Sequence, residues 1–341
     1  MINKVIRLTS PRQFETFSIE ENIDENTIVI KPTFLSICHA DQRYFTGSRS
    51  KEVLNKKLPM ALIHEGIGEV VFDKTKKFQI GEKVVIIPNT PSESSPTIHE
   101  NYLRSSRFRS SGFDGLTQEY VFTNADRIIR VPQNLPDEVA AFTELVSVAM
   151  HSICRLSKKI NGDSECFGVW GDGNLGFITS LILKNIYPNS KIIIFGKHRE
   201  KLDYFSFVDE KFLIDEIPEE LKISHGIECV GGMGSQDALN QIIYCIKPEG
   251  TIGLMGVSER YIEVNTRMIL EKGITLIGSS RSGREDFINT LDFLSNYPSA
   301  SERLSSLVGQ VRRINNILEL SDFFESDFNS NWGKSVMKWN F

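Results

Sequence analysis

The segment "CFGVWGDGNLGFITSLILKNIYPNSKIIIFGKHREKL", from Cys166 to Leu202, constrains the fold of this chain more than any other. An apolar run, Phe167 to Trp170, enters Gly171-Asp172-Gly173-Asn174-Leu175-Gly176, and a helical pattern of apolar residues follows through Phe177, Leu181 and Ile182. A second apolar run, Lys191 to Phe195, completes a strand–helix–strand unit. G-x-G-x-x-G alone is weak evidence, but in this setting each glycine has a task. Gly171 permits the tight turn, Gly173 lets backbone approach a pyrophosphate, and Gly176 lets helix and strand pack closely. The phosphates then rest on the amides that open the helix, at Asn174 and Leu175. The segment predicts a parallel α/β sheet that binds a dinucleotide.

The end of the second strand bears on which dinucleotide. A site for NAD usually places Asp or Glu there to bond the ribose 2′-OH, whereas a site for NADP supplies positive charge for the 2′-phosphate. This chain reads Phe195-Gly196-Lys197-His198-Arg199, with no acid and three cationic donors, which favours NADPH. The plainer alternative is a solvated basic turn before a helix.

A second constellation lies earlier. Cys38, the pair His64-Glu65 and Glu144 offer a thiolate, an imidazole and two carboxylates, a mixed set that suits Zn²⁺ with one position left for water or substrate. Structural zinc sites are instead closed by Cys and His, so the set points to catalysis. Taken singly, each residue has a duller reading: Cys38 in "TFLSICHADQRYF" as a small buried hydrophobe, His64-Glu65 as a strand-end polar pair. Cys154, Cys166, Cys229 and Cys245 read as core residues, and an odd count of five without any CxxC argues against a disulfide framework.

With 341 residues the chain suits two domains. A net charge of −5 and a pI near 5.8 argue against a nucleic-acid partner. No apolar run approaches the roughly 20 residues of a membrane span, and no cleavable signal follows "MINKVIRL", so a cytoplasmic protein is expected. The first part is strand-rich, with "NTIVIKPTFLSIC", "GIGEVVFD", "EKVVIIP" and "TQEYVFTN" as short runs suited to a small barrel. "NLPDEVAAFTELVSVAMHSICRL" has one helical pattern after Pro136 and Asp137 and leads into alternating strands and helices. We expect a first domain over 1–147, completed by 296–341 with "WGKSVMKWNF" as a final strand, and a nucleotide-binding domain over 148–295. The active cleft is expected between them.

The order of these parts resembles the zinc-dependent medium-chain dehydrogenase/reductase family over essentially the whole chain. "IHEGIGEV", from Ile63 to Val70, resembles the family's GHExxGxV segment, and "FTELVSVAMHS", from Phe142 to Ser152, its glutamate-containing segment in polyol dehydrogenases. The resemblance implies a GroES-like β-barrel catalytic domain plus a Rossmann-type nucleotide-binding domain. It also implies zinc ligands at Cys38, His64, Glu65 and Glu144, Tyr44 as a substrate-facing aromatic, and Gly66 and Gly68 shaping a turn; Asp41 is expected to orient the ligand set from beside it. Two departures matter: Ala40 stands where relatives carry a proton-passing hydroxyl, and "NTPSESSPTIHENYLRSSRFRSSGFDG" lacks the cysteines of the family's structural zinc lobe. One catalytic zinc and no structural zinc are therefore expected.

"CHADQRYFTGSR", "VVIIPNTP", "RSSGFDG" and "LIGSSRSGREDF" are similar, more narrowly, to bacterial ribulose-5-phosphate reductases. These reduce D-ribulose 5-phosphate with NADPH to D-ribitol 5-phosphate for CDP-ribitol and ribitol teichoic acid or capsule synthesis. The resemblance implies a homodimer and, as partner, a ribitol-5-phosphate cytidylyltransferase, expected as a separate chain because the reductase takes up all 341 residues. For the substrate phosphate, Arg43 and Arg281 are favoured over Arg49, Lys57 and Arg109, each of which reads equally as a surface cation. Glu65 or Glu144 is expected to hold the proton-bearing water. Three rivals stand beside this reading: an NAD-dependent dehydrogenase of an unphosphorylated polyol such as sorbitol or xylitol, a zinc-free quinone or enoyl reductase, and a non-catalytic NADP-binding sensor.

Overall fold

The nearly continuous apolar run in Thr27–Ser36 forms a strand buried on both faces, and in the computed structural model it pairs with three others. Its neighbours are Glu65–Asp73, Val121–Asn124 and Lys334–Trp339, all antiparallel to it. The structure describes residues 1–160 and 165–341, which divide into two units. The first comprises Met1–Leu145 and Ser282–Phe341, the second Val146–Arg281.

In the first unit a seven-stranded sheet runs Ile128–Arg130, Lys83–Ile86, Glu65–Asp73, Thr27–Ser36, Lys334–Trp339 and Val308–Ile314, with Val121–Asn124 added beside Thr27–Ser36. Register explains where the chemistry gathers. Ser36 pairs with Glu65 on one side and with Val336 on the other. Continuing the antiparallel pairing two residues sets Lys334 opposite Cys38, a placement carried by the Ile37 amide donating to the Ser335 carbonyl at 3.0 Å. Three segments distant in sequence thus end together at one edge of the sheet.

Gly66 and Gly68, expected to shape a turn, lie instead within the strand Glu65–Asp73. A Cβ on Gly66 would come within 2.5 Å of Leu35 Cδ2, and one on Gly68 within 2.5 Å of the Lys31 carbonyl oxygen. They are glycine because neighbouring strands approach closely, not because the chain bends.

The single helix expected after Pro136 is two, Asp137–Ala140 and Thr143–Ser157. The Thr143 hydroxyl takes the Ala140 carbonyl at 2.8 Å, an alternative partner that ends the first helix. The return to the first unit also starts earlier than the expected 296, at Ser282. Arg284 explains it: its amide donates to Glu100 at 2.8 Å and its guanidinium to the Asp126 and Ile128 carbonyls at 2.6 and 3.1 Å. The helix Arg284–Asn296 is therefore fastened to the first unit at its first residue.

The second unit is a six-stranded, wholly parallel sheet in the order Glu210–Leu213, Lys191–Gly196, Cys166–Trp170, Ile223–Glu228, Ile246–Leu254 and Thr275–Gly278. Strand order reverses between Cys166–Trp170 and Ile223–Glu228, the place where such sheets take ligands at their carboxyl ends. Trp170 stacks on Phe195 with ring centroids 3.8 Å apart, locking the first two strands of the unit into its core.

Candidate metal centre and dinucleotide turn

Cys38 caps the short helix His39–Phe45, and Glu65 opens the strand Glu65–Asp73 with His64 just before it. One donor atom from each of Cys38, His64 and Glu65 lies within 4.8 Å of the other two. His64 and Glu65 are buried, and Cys38 is partly so.

Asp41 organises this cluster. Fully buried, it lies 3.4 Å from His64 Nδ1 with Oδ2, which also accepts from the Cys38 amide at 3.2 Å. Its Oδ1 accepts from the Ile63 amide at 3.1 Å and the Ser110 hydroxyl at 2.5 Å. Turning Nδ1 toward Asp41 leaves Nε2 as the imidazole's remaining donor. Burial opposes the carboxylate, yet His64 and these hydrogen bonds hold Asp41 below the usual range. Burial likewise opposes a charged His64, and Asp41 with Cys38 outweighs it, raising the imidazole well above its ordinary value.

Glu65 carries a partner that sequence reading missed. Lys334, buried in the last strand, donates Nζ to Glu65 Oε1 at 2.9 Å and to the Ile37 carbonyl at 2.7 Å. Its Nζ is also 2.9 Å from Oε2, but no hydrogen bond forms there, so Oε2 keeps an unused acceptor. Only the register seen across three strands signals Lys334.

Glu144, in the first turn of Thr143–Ser157, is buried and feels the charges of His64 and Glu65 but stands outside the three-residue cluster. Burial pushes its carboxyl up to about 7, with Glu65 and Asp41 adding to the shift and His64 opposing it. Burial also pushes the Cys38 thiol up. A thiol and three carboxyls packed against one imidazole and one ammonium form a donor set short of positive charge, which fits a divalent cation.

The other expected residues are placed variously. Tyr44, expected to face substrate, is 2% exposed and packs in the apolar core cluster, with the Arg49 guanidinium 5.1 Å from its ring. Arg43 sits one helical turn after His39, and both Arg43 and Arg49 lower the His39 pKa after burial. Arg281 closes the second unit in a left-handed conformation, φ 59. Arg109 is committed to the Asp114 and Phe122 carbonyls at 3.3 and 2.8 Å, and Lys57 to Ser111, so neither is poised for a ligand.

In the second unit the glycine turn is built as its spacing demands. Gly171 adopts φ 130 against Cys229, and a Cβ on Gly176 would stand 1.8 Å from the Gly171 carbonyl oxygen. At Gly173, which caps the helix Asn174–Ile186, a Cβ would meet nothing within 4 Å. Packing therefore requires glycine at 171 and 176 but not at 173, which faces open space at a helix N-terminus. The cationic turn is less free than its sequence suggests. Arg199 pairs with Glu216 at 3.0 Å, and His198 lies 3.0 Å from Asp172.

A largely antiparallel sheet unit with a sulfur, nitrogen and oxygen donor cluster, in one chain with a parallel sheet carrying a glycine-rich turn, has the organisation of a medium-chain, zinc-binding dehydrogenase. The family described as "Alcohol dehydrogenase GroES-like domain" matches residues 24–133, and that described as "Zinc-binding dehydrogenase" matches residues 191–296. Ribulose-5-phosphate reductase of Bacillus spizizenii is 54% identical over 339 residues, 99% of each chain. Ribulose-5-phosphate reductase 1 of Staphylococcus aureus is 52% identical with the same coverage. The crystal structure of S. aureus TarJ in complex with NADPH superposes with a TM-score of 0.89 at 47% identity, covering 100% of both chains. The chain belongs to the ribulose-5-phosphate reductase branch of the zinc-binding dehydrogenases.

Proposed function

We propose that this protein reduces D-ribulose 5-phosphate to D-ribitol 5-phosphate, taking hydride from NADPH and using one zinc ion held by Cys38, His64 and Glu65, with Glu144 beside them. The observation that carries the reading is the convergence of those three donors within 4.8 Å, in a chain 54% identical to a reductase of that name. Bound zinc supplies Lewis-acid polarisation of the C2 carbonyl, and NADPH supplies the hydride.

The chain's own residues provide the rest. Asp41 fixes the ring of His64 and its tautomer. Lys334 balances the charge of Glu65 and leaves Oε2 available. Glu144, with its carboxyl at about 7, can hold the proton that the C2 oxygen takes up, a task for which Ala40 offers no hydroxyl. Arg43 is the first candidate for the substrate phosphate, being on the helix that Cys38 begins, and Arg281 the second.

No second zinc is needed. In the stretch that lacks cysteines, Glu100 accepts from Arg127 at 2.8 Å and from the Arg284 amide at 2.8 Å, an ionic closure in place of a structural metal. Five cysteines with no disulfide among the described residues suit a cytoplasmic enzyme. The edge strand Thr275–Gly278, with Leu276 exposed, suits a homodimer. The product suits a ribitol-5-phosphate cytidylyltransferase as the next enzyme and a role in teichoic acid or capsule synthesis.

The test compares NADPH consumption with ribulose 5-phosphate, ribulose and fructose 6-phosphate, alongside metal analysis. Turnover confined to the five-carbon phosphate with about one zinc per chain is expected. Cys38→Ala should lose zinc and activity together. Equal turnover of unphosphorylated ribulose with NADH would favour a polyol dehydrogenase instead.

A further inference from the structure

Asp172 occupies a position that the glycine fingerprint leaves open, and the sequence pattern assigns it nothing. In the structure its side chain runs under the turn that ends the strand Lys191–Gly196. Its Oδ2 accepts from the amides of Lys197 and His198, each at 2.7 Å, and lies 3.0 Å from His198 Nδ1. The side chain is only 14% exposed. The strand must end in glycine for this to happen, because a Cβ at Gly196 would stand 2.7 Å from Asp172 Cβ and 3.0 Å from its Oδ2.

Where an NAD site raises an acid from the strand end to meet the ribose 2′-OH, this chain thus fills the space with a carboxylate from the neighbouring turn. One of its oxygens is already engaged by three donors. The same two amides, being occupied, are withdrawn from ligand binding, so recognition falls to the side chains they carry. Lys197 is exposed and has no ion-pair partner among the described residues, and Arg199 spends itself only on an exposed pair with Glu216.

We propose that Asp172 is the positioning residue of a subsite for the adenosine 2′-phosphate. It clamps the turn Gly196–Arg199 so that Lys197, His198 and Arg199 are presented together. The inference rests on the NADPH reading above. Because those side chains meet only the 2′-phosphate, loosening the clamp should weaken ligands that carry this group and spare those that lack it.

The experiment titrates the zinc-loaded full chain calorimetrically with adenosine 2′,5′-bisphosphate and with AMP, for wild type, Asp172→Ala and Asp172→Asn. Asp172→Ala should weaken the bisphosphate about ten-fold, as expected for loss of charge-assisted hydrogen bonds, and change AMP less than about two-fold. Asp172→Asn, which keeps an acceptor for the amides but not the charge, should recover part of that loss. An equal loss for both ligands, or no loss for either, overturns the proposal, the first outcome indicating contact with the ribose or a general packing role. If Asp172→Ala does not fold, Asp172→Asn decides by the same selectivity. A wild type that binds both ligands alike overturns the NADPH reading itself, and this inference with it.

Discussion

Lys334 and Glu65 form a buried ion pair between residues 269 positions apart, with Nζ 2.9 Å from Oε1 and neither side chain more than 3% exposed. Such a pair is costly to leave half-made, since removing one partner strands the other charge in a low-dielectric site. Lys334→Met should therefore cost about 3–5 kcal/mol of stability by urea unfolding of the metal-free protein. Adding Glu65→Gln should restore most of it. A single variant as stable as wild type would show that Glu65 does not depend on Lys334.

Asp41 makes a separate prediction, because it touches His64 without belonging to the donor cluster. Asp41→Asn keeps the size but weakens acceptance from His64 Nδ1, the Ile63 amide and the Ser110 hydroxyl. Loss of such an orienting partner typically costs 10–100-fold in metal affinity. Competition for zinc with a chromogenic chelator should show a loss of about that size, and an unchanged affinity would remove Asp41 from its role.

How far these sites were legible in the sequence depended on distance along the chain. The glycine turn was legible as a turn, because strand, fingerprint and helix are contiguous and Gly171 and Gly176 answer local steric demands. Cys38, His64 and Glu65 were legible as one donor set from their chemistry, whereas the pairing of Ser36 with Glu65 that carries Cys38 to the other two was not. Lys334 was not legible at all: a lysine in "WGKSVMKWNF" reads as an ordinary strand-edge charge until Val336 is seen to pair with Ser36. Asp172 was hidden inside the fingerprint, and it alters what Lys197-His198-Arg199 can do.

The glycines themselves separate packing from binding. Gly176→Ala places a methyl 1.8 Å from the Gly171 carbonyl oxygen, which is backbone and must shift. That variant should lose both thermal stability and NADPH binding. Gly173→Ala meets nothing within 4 Å, so it should melt close to wild type, and if the pyrophosphate approaches there as the fingerprint implies, it should bind NADPH at least about ten-fold more weakly. Fluorescence titration and calorimetry on the two variants check this. Normal NADPH affinity in Gly173→Ala would place the phosphates elsewhere.

The last prediction concerns pH and lies far from any metal ligand in sequence. His225, in the strand Ile223–Glu228, is 6% exposed, its ring 5.4 Å from that of Phe167, and its Nδ1 has no hydrogen-bond partner among the described residues. Burial lowers its pKa below the ordinary 6.5, with Glu165 only partly opposing. A folded-state pKa below the unfolded one means that the unfolded chain binds the proton more readily as pH falls. The stability tied to neutral His225 is therefore fully present above about pH 6.5 and is lost as pH falls through that value toward the lower folded pKa. His225→Phe keeps a planar ring against Phe167 and has no proton to gain. Its melting temperature relative to wild type should rise as pH falls from 7.5 to 5.5, since only the wild-type chain takes up a proton at this position on unfolding, which favours its unfolded state. A difference that stays constant across that range would mean that His225 is protonated as easily in the folded protein as in the unfolded chain.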